Sequence, residues 1–84
     1  MRIKVQNTRE GLHPSEMIAT IQTLTGPEEL IIDARSKDSI DVGNPVAKNK
    51  GYYLVELPSE TSGGAWRVWV NKDEVIDGVL EAAE

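Results

Sequence analysis

The stretch YYLVELPSETSGGAWRVWV, residues 52–70, contains every tryptophan and tyrosine of the 84-residue chain, which has no phenylalanine. Two runs rich in β-branched, aromatic and aliphatic residues, 52–57 and 65–70, flank a segment of Pro, Ser and Gly. Such runs, separated by turn residues, predict two strands joined by a loop. We expect the other elements to pack against this hairpin, because it carries the largest apolar side chains.

The two faces of the predicted hairpin differ, since successive side chains of a strand point to opposite faces. One face is wholly apolar and consists of Trp66, Val68 and Val70 of the second strand with Tyr53, Val55 and Leu57 of the first. We predict that this face is buried, because a register shift of one residue would exchange the two faces.

The opposite face carries Trp69 and Arg67, with Tyr52 and Glu56 within reach. Aromatic and arginine side chains grouped in this way are typical of protein interfaces, so Trp69, Arg67 and Tyr52 are the candidate binding residues. A structural role is the other interpretation of Trp69, with the N-terminal strand or the C-terminal segment covering the indole.

Length and composition predict one small soluble domain over residues 1–80, with 81–84 as an acidic, mobile end. The chain has no cysteine, which excludes thiol catalysis and disulfides and is compatible with the cytoplasm. The N-terminal MRIKVQNTRE lacks the apolar run of a signal peptide, and no stretch approaches the ~20 apolar residues that span a bilayer. We therefore expect a cytoplasmic protein outside the membrane.

The net charge of −5 lies in the last part of the chain. Residues 1–72 carry nine acids and nine Lys or Arg, whereas residues 73–84 carry five acids and no base. This distribution argues against binding to phosphate backbones, so nucleic acid is an unfavoured partner. The nearest approach to a basic patch is Arg35, Lys37, Lys48 and Lys50, most simply read as solvated loop charges.

The N-terminal third has one clear strand and one ambiguous segment. Residues 2–7 alternate with Ile3 and Val5 on one side and predict a strand, and a loop containing the single histidine, His13, follows over 8–14. Residues 15–25 fit a helix capped by Ser15, or a strand with Met17, Ala19, Ile21 and Thr23 on one face. We favour a hairpin with the predicted strand 29–34, closed by a turn at 25–28.

The later segments are shorter. Residues 40–47 predict a strand with a bulge or edge position at Gly43-Asn44-Pro45, and 47–51 predict a turn. Asn71 is placed to cap a helical turn with acids in its first positions. An apolar stripe follows, formed by Val75, Ile76, Val79 and Leu80, and Gly78 within it favours one helical turn followed by a strand or a frayed end.

The order IDVGNPVA, YYLVELP, a short loop and WRVWVNKDEVI resembles the second half of an SH3-like barrel over residues 38–80, where the fourth strand runs into a helical turn before a short last strand. The count of short strands, with Gly and Pro between them, predicts an all-β fold: a small SH3-like barrel, as the resemblance implies, or a curled antiparallel sheet of five to six strands with a short C-terminal helical turn. A helix at 15–25 would make the class α+β. The N-terminal half lacks the acidic arm of eukaryotic SH3 domains, and Asn71 replaces the proline of their closing turn, so no peptide-binding residues are implied.

No arrangement of residues predicts catalysis, a cofactor or a metal site. Ser15, His13 and Glu16 are too close in sequence for a catalytic triad, and Asp33, Asp38 and Asp41 do not have the spacing of a calcium loop. No motif states the function. The best prediction is a non-enzymatic protein-interaction module that binds a protein partner or forms a homodimer. The alternative is a single-stranded nucleic-acid-binding barrel that uses aromatic stacking with Arg35, Lys48 and Lys50.

Overall fold

A computed structural model describes residues 1–35 and 39–77 of the chain. Its elements follow one another as β1 (Arg2–Lys4), β2 (Asn7–Glu10), β3 (Glu16–Thr23), β4 (Gly26–Asp33), β5 (Ser39–Asp41), β6 (Ala47–Asn49), β7 (Tyr52–Glu56), β8 (Arg67–Asn71), a 3-10 turn (Lys72–Glu74) and β9 (Val75–Asp77). The all-β prediction is therefore confirmed, although the described chain forms nine short strands rather than five or six.

The strands form three antiparallel sheets with the orders β5-β1-β9, β2-β3-β4 and β6-β7-β8. The sheets are curled and do not close into one barrel. Among the described residues, the Leu24 N–H of the β3–β4 turn donates to the Trp69 carbonyl of β8 (2.8 Å), and the Ser62 N–H of the β7–β8 loop donates to the Glu29 carbonyl of β4 (2.8 Å). The second bond holds the loop between β7 and β8 along the outer edge of β4.

The core lies where the inner faces of the three sheets meet. Its buried members are Ile3, Ala19, Ile21, Leu30, Ile32, Ile40, Val42, Tyr53, Val55, Leu57, Val68 and Val70. The predicted hairpin register is confirmed, with Tyr53 opposite Val70 and Val55 opposite Val68.

The predicted burial of Trp66 is wrong, because its side chain is 54% exposed. Trp66 precedes β8 by one residue, and its carbonyl accepts the Leu57 N–H (2.8 Å) at the end of the hairpin. Strand alternation gives the direction in which a side chain points. It does not determine whether another element covers that position, and at the end of the sheet the coverage is incomplete.

The segment 15–25 is a strand, so the α+β alternative is wrong. Ala19, Ile21 and Thr23 are buried and Met17 packs against the core, as the predicted face requires. The turn lies earlier than predicted, at Leu24-Thr25, because Gly26 pairs with Thr23 and belongs to β4. The Thr23 hydroxyl donates to the Gly26 carbonyl (2.6 Å) and accepts the Thr25 N–H (3.3 Å), which closes this tight turn.

Two strands occupy segments that the sequence predicts as loop or turn. The predicted strand 2–7 ends earlier, as β1 (Arg2–Lys4), and β2 (Asn7–Glu10) then extends into the predicted loop 8–14. In the same way, β6 (Ala47–Asn49) lies within the predicted turn 47–51. Both are end strands of their sheets, where polar side chains are expected on strands as well as in loops. The actual turn is Lys50-Gly51, whose φ angles of 49° and 86° match the type I′ turn of two-residue hairpins.

The C-terminal prediction of a capped helical turn followed by a strand is confirmed. Asn71 Oδ1 accepts the Asp73 N–H (2.8 Å) at the start of the 3-10 turn, and β9 then pairs with β1. The predicted strand 40–47 is wrong, because the chain leaves β5 after Asp41 and begins β6, which belongs to a different sheet, at Ala47. Of the predicted features, the stripe residues Val79 and Leu80, the acidic end 81–84, and the loop residues Lys37 and Asp38 lie outside the described residues.

Candidate functional site

The predicted binding residues lie on one face of the β6-β7-β8 sheet, the face turned away from the core. We call it the outer face and define it by three cross-strand rows: Glu56–Arg67, Ala47–Leu54–Trp69 and Asn49–Tyr52–Asn71. The structure thus places Trp69, Arg67 and Tyr52 on the same side of the sheet, one in each row.

The middle row is apolar and crosses all three strands. Leu54 lies directly between Ala47 and Trp69, and all three side chains are half-buried. Directly opposed side chains in antiparallel strands are about 4.5–5.5 Å apart at Cβ, so Leu54 and Trp69 pack side by side. The Trp69 backbone is held on its other side by the Leu24 N–H, which fixes β8 against the β3–β4 turn.

The first row is an exposed ion pair. Arg67 Nη2 and Nε donate to Glu56 Oε2 at 3.2 and 3.3 Å. The two side chains are 54% and 57% exposed, and pairs at this degree of exposure contribute only about 0–1 kcal/mol. Either group can therefore turn to a partner's charge at little cost to stability.

In the third row, Tyr52 lies between two asparagine side chains. Tyr52 is half-buried, lies opposite Asn49 and Asn71, and borders a shallow groove of about 300 Å³. The groove is also lined by Leu24 of the β3–β4 turn, whose side chain is 54% exposed. This side of the outer face thus combines an aromatic ring, amide groups and an exposed leucine.

One residue at the centre of the outer face was not named as a binding candidate from the sequence. It is Leu54, and the predicted register could have identified it because it stands directly opposite Trp69. Trp66, which was predicted to be buried, lies outside the three rows and is the more exposed of the two tryptophans. No local sequence signal distinguishes its environment from that of Val68.

The three basic residues of the nucleic-acid alternative, Arg35, Lys48 and Lys50, are not grouped on the outer face with Trp69 and Tyr52. Arg35 is bonded to Asp33 through Nε (3.2 Å) and Nη2 (2.9 Å). Lys48 pairs with Tyr53 and so faces the side opposite Trp69, while Lys50 lies in the β6–β7 turn.

Asp33 and Asp41, two of the three aspartates tested against calcium-loop spacing, are exposed surface carboxylates. The side-chain hydrogen bond from Arg35, with its backbone N–H (2.8 Å), lowers the pKa of Asp33 from 3.8 to about 2. Asp41 is exposed, and its Oδ1 accepts the Gly43 N–H (3.1 Å). Within residues 1–35 and 39–77, no group of three or more His, Asp or Glu side chains is placed to hold a metal ion.

The remaining candidates stay apart from the outer face. His13 is exposed in the loop between β2 and β3, where its carbonyl accepts the Glu16 N–H (3.0 Å).

In the part of the chain that the structure describes, no helix is long and apolar enough to cross a membrane.

Comparison with known proteins finds no family model, curated protein or solved structure that matches this chain. The resemblance to SH3-like barrels therefore rests on the sequence pattern of residues 38–80 alone. The geometry of the outer face has to carry any functional argument.

Proposed function

We propose that the protein is a non-enzymatic interaction module that binds a protein partner through the outer face. The observation that carries the proposal is the apolar row Ala47–Leu54–Trp69, which remains partly in solvent between an exchangeable ion pair and a tyrosine–amide row. Interface hot spots are enriched in Trp, Tyr and Arg and lie within a rim of weaker polar contacts. Trp69, Tyr52 and Arg67 supply these three residue types.

The rigidity of the support favours this assignment. On the inner face of the same strands, Val55 and Val70 are fully buried and Val68 is nearly so. Trp69 stands between Val68 and Val70 in β8, so its backbone is anchored by core packing on both sides. A preorganised surface loses less conformational entropy on binding, which improves affinity without additional contacts.

The small size of the outer face indicates how strong the complex can be. Its three rows contain eight side chains, against about 20–30 residues per partner in an interface of standard size. We therefore propose a weak, transient complex. The partner that fits presents an apolar side chain for Leu54 and Trp69 and a charged group that exchanges with the Glu56–Arg67 pair.

Site-specific photo-crosslinking tests the proposal. A photoreactive phenylalanine analogue replaces Arg67 in one variant and Arg9 in the control. Arg9 is a matched position, because it also forms an exposed cross-strand ion pair, with Glu29 at 3.0 Å, and is 59% exposed. We expect a discrete adduct from position 67 in cells that produce the protein, and none from position 9.

Two further results sharpen the crosslinking experiment. Adding Leu54→Ala to the position-67 variant should reduce the adduct, since it removes the centre of the apolar row. An adduct with twice the 9.3 kDa mass of the chain would identify a second copy as the partner. The absence of an adduct at position 67, or the same adducts at positions 67 and 9, would refute the proposal.

The nucleic-acid alternative has less support. Single-strand binders combine stacked aromatics with a positive groove along the same surface. Here Arg35 is engaged by Asp33, and Lys48 lies on the face opposite Trp69.

A further inference from the structure

A cleft of about 570 Å³ lies between the end of β4, the strand β5 and the loop that follows β7. Its volume falls within the ~300–1,000 Å³ range of ligand sites. The apolar part of its lining consists of Ile31, Ile32, Ile40 and Pro58, and the acidic part of Glu16, Asp33 and Asp41. The cleft is separate from the outer face and shares no residue with it.

The apolar lining continues onto the surface. Ile31 is 46% exposed and lies directly opposite the half-buried Ile18 on the outer side of the β2-β3-β4 sheet. The wall formed by Pro58 and Ser59 is held in place, because the Ser59 hydroxyl donates to the Ile31 carbonyl (2.7 Å). The cleft is therefore preformed, with an apolar floor that an aliphatic side chain can cover.

The acidic lining favours a cation. Arg35 already faces Asp33, and the amino group of Met1 lies 4.0 Å from Asp41 Oδ1. The half-buried Glu16 has no ion pair among the described residues. Because Asp33 and Asp41 already have cationic neighbours, Glu16 is the main anion that the cleft offers to a partner.

The Asp33–Arg35 pair indicates which kind of cation the acidic lining of the cleft can bind. Asp33 takes the Arg35 guanidinium in a forked arrangement, with two donors on its two oxygens, which is the geometry of strong arginine–carboxylate pairs. The carboxylates are not grouped for a metal ion in the described ranges. An organic cation on a longer stem therefore fits this lining better than a bare divalent ion.

We propose that the cleft binds a segment of a partner protein in which arginine is flanked by aliphatic residues. The aliphatic side chains cover Ile31 and Pro58, and the guanidinium pairs with Glu16 and, in competition with Arg35, with Asp33. This site goes beyond the proposed function and does not depend on Trp69.

Two-dimensional NMR titration of the isotope-labelled protein tests the site with three synthetic peptides. The probe is acetyl-Gly-Ile-Arg-Ile-Gly-amide; the first control replaces its Arg with Glu, and the second replaces both Ile with Ser. We expect the probe to shift the amides of Glu16, Ile32 and Asp41 in a saturable way, and both controls to bind at least about twofold more weakly, as a lost ion pair or lost apolar burial predicts. No shift at these amides, or equal binding of a control, would overturn the proposal.

Two variants with a matched control separate the cleft from general charge attraction. Glu16→Gln should weaken the probe about two- to fivefold, the range of one exposed or partly buried ion pair. Arg35→Ala should strengthen it, because it removes the internal competitor for Asp33. Lys72→Ala changes the net charge equally at an exposed position in the 3-10 turn that does not line the cleft, so it should not reproduce the Arg35→Ala gain beyond the small general charge effect. An unchanged affinity in Glu16→Gln, or equal gains in Arg35→Ala and Lys72→Ala, would contradict the assignment.

Discussion

Replacement of Val55 by alanine tests whether the inner face of the β7–β8 hairpin is the centre of the core. Val55 is fully buried, and its cross-strand partner Val68 is nearly so. Val46 provides the matched control: it precedes β6, donates its N–H to the Leu54 carbonyl (2.8 Å) and is 47% exposed. The two substitutions remove the same atoms from positions of opposite burial.

The expected losses follow from that burial. Removing two buried carbons costs about 1.6 kcal/mol at ~0.8 kcal/mol per methylene, and the cavity left behind raises the total to about 2–3 kcal/mol. Val46→Ala removes atoms that already contact water, so we expect about 0.5 kcal/mol or less. A domain of this size has only about 4–12 kcal/mol of stability in total, which makes the Val55 loss easy to measure.

Urea denaturation followed by tryptophan fluorescence gives both values. We expect a lower midpoint and an unchanged slope for Val55→Ala, and a melting temperature lower by about 8–24 °C, since 1 kcal/mol corresponds to about 4–8 °C in small domains. Equal losses for the two valine variants would refute the assigned inner face.

Three further predictions concern single residues. The Trp69→Phe variant, which leaves the 54% exposed Trp66, should emit at longer wavelength and be quenched more strongly by acrylamide than Trp66→Phe, which leaves the half-buried Trp69; the reverse order would contradict the assigned exposures. Gly51→Ala should lower the free energy of unfolding by about 1–3 kcal/mol in urea titration, because φ is +86° there, and an unchanged midpoint would argue against the I′ turn. The Asp33 carboxyl should titrate by NMR with a pKa of about 2, and this pKa should return towards 3.8 in Arg35→Ala. The stabilising effect of the ionised carboxyl is therefore complete above about pH 4 and is lost as the pH falls through 2. An unshifted pKa in the parent protein would rule out the Asp33–Arg35 pair.

Local patterns predicted the strands whose faces differ most. The alternation in 52–57 and 65–70 predicted both the register and the inner face, and that in 15–25 predicted the buried Ala19, Ile21 and Thr23. The sequence did not predict the polar strands β2 and β6. β2 and β6 are end strands with little to bury, so their residues resemble those of loops and are strands only because β3 and β7 offer hydrogen bonds.

Local alternation also predicted part of the candidate site. The period of two in the hairpin was enough to place Trp69, Arg67 and Tyr52 on one face, because that result needs only the two strands. The pairing of Arg67 with Glu56 also follows from the register. The cleft could not be predicted, since its lining comes from four separate segments that only the packing of the sheets brings together.

The sequence by itself determined which side of β3 and of the β7–β8 hairpin faces inward and that Asn71 caps a helical turn, because these depend on neighbours a few residues away. Only the tertiary structure decided that Trp66 is exposed, that the three sheets remain open instead of closing into a barrel, and that an acidic cleft lies beside β4. The physical reason is that burial depends on which distant element lies over a side chain. The alternation along a strand determines which way a side chain points, and the packing of the sheets determines whether another element covers it.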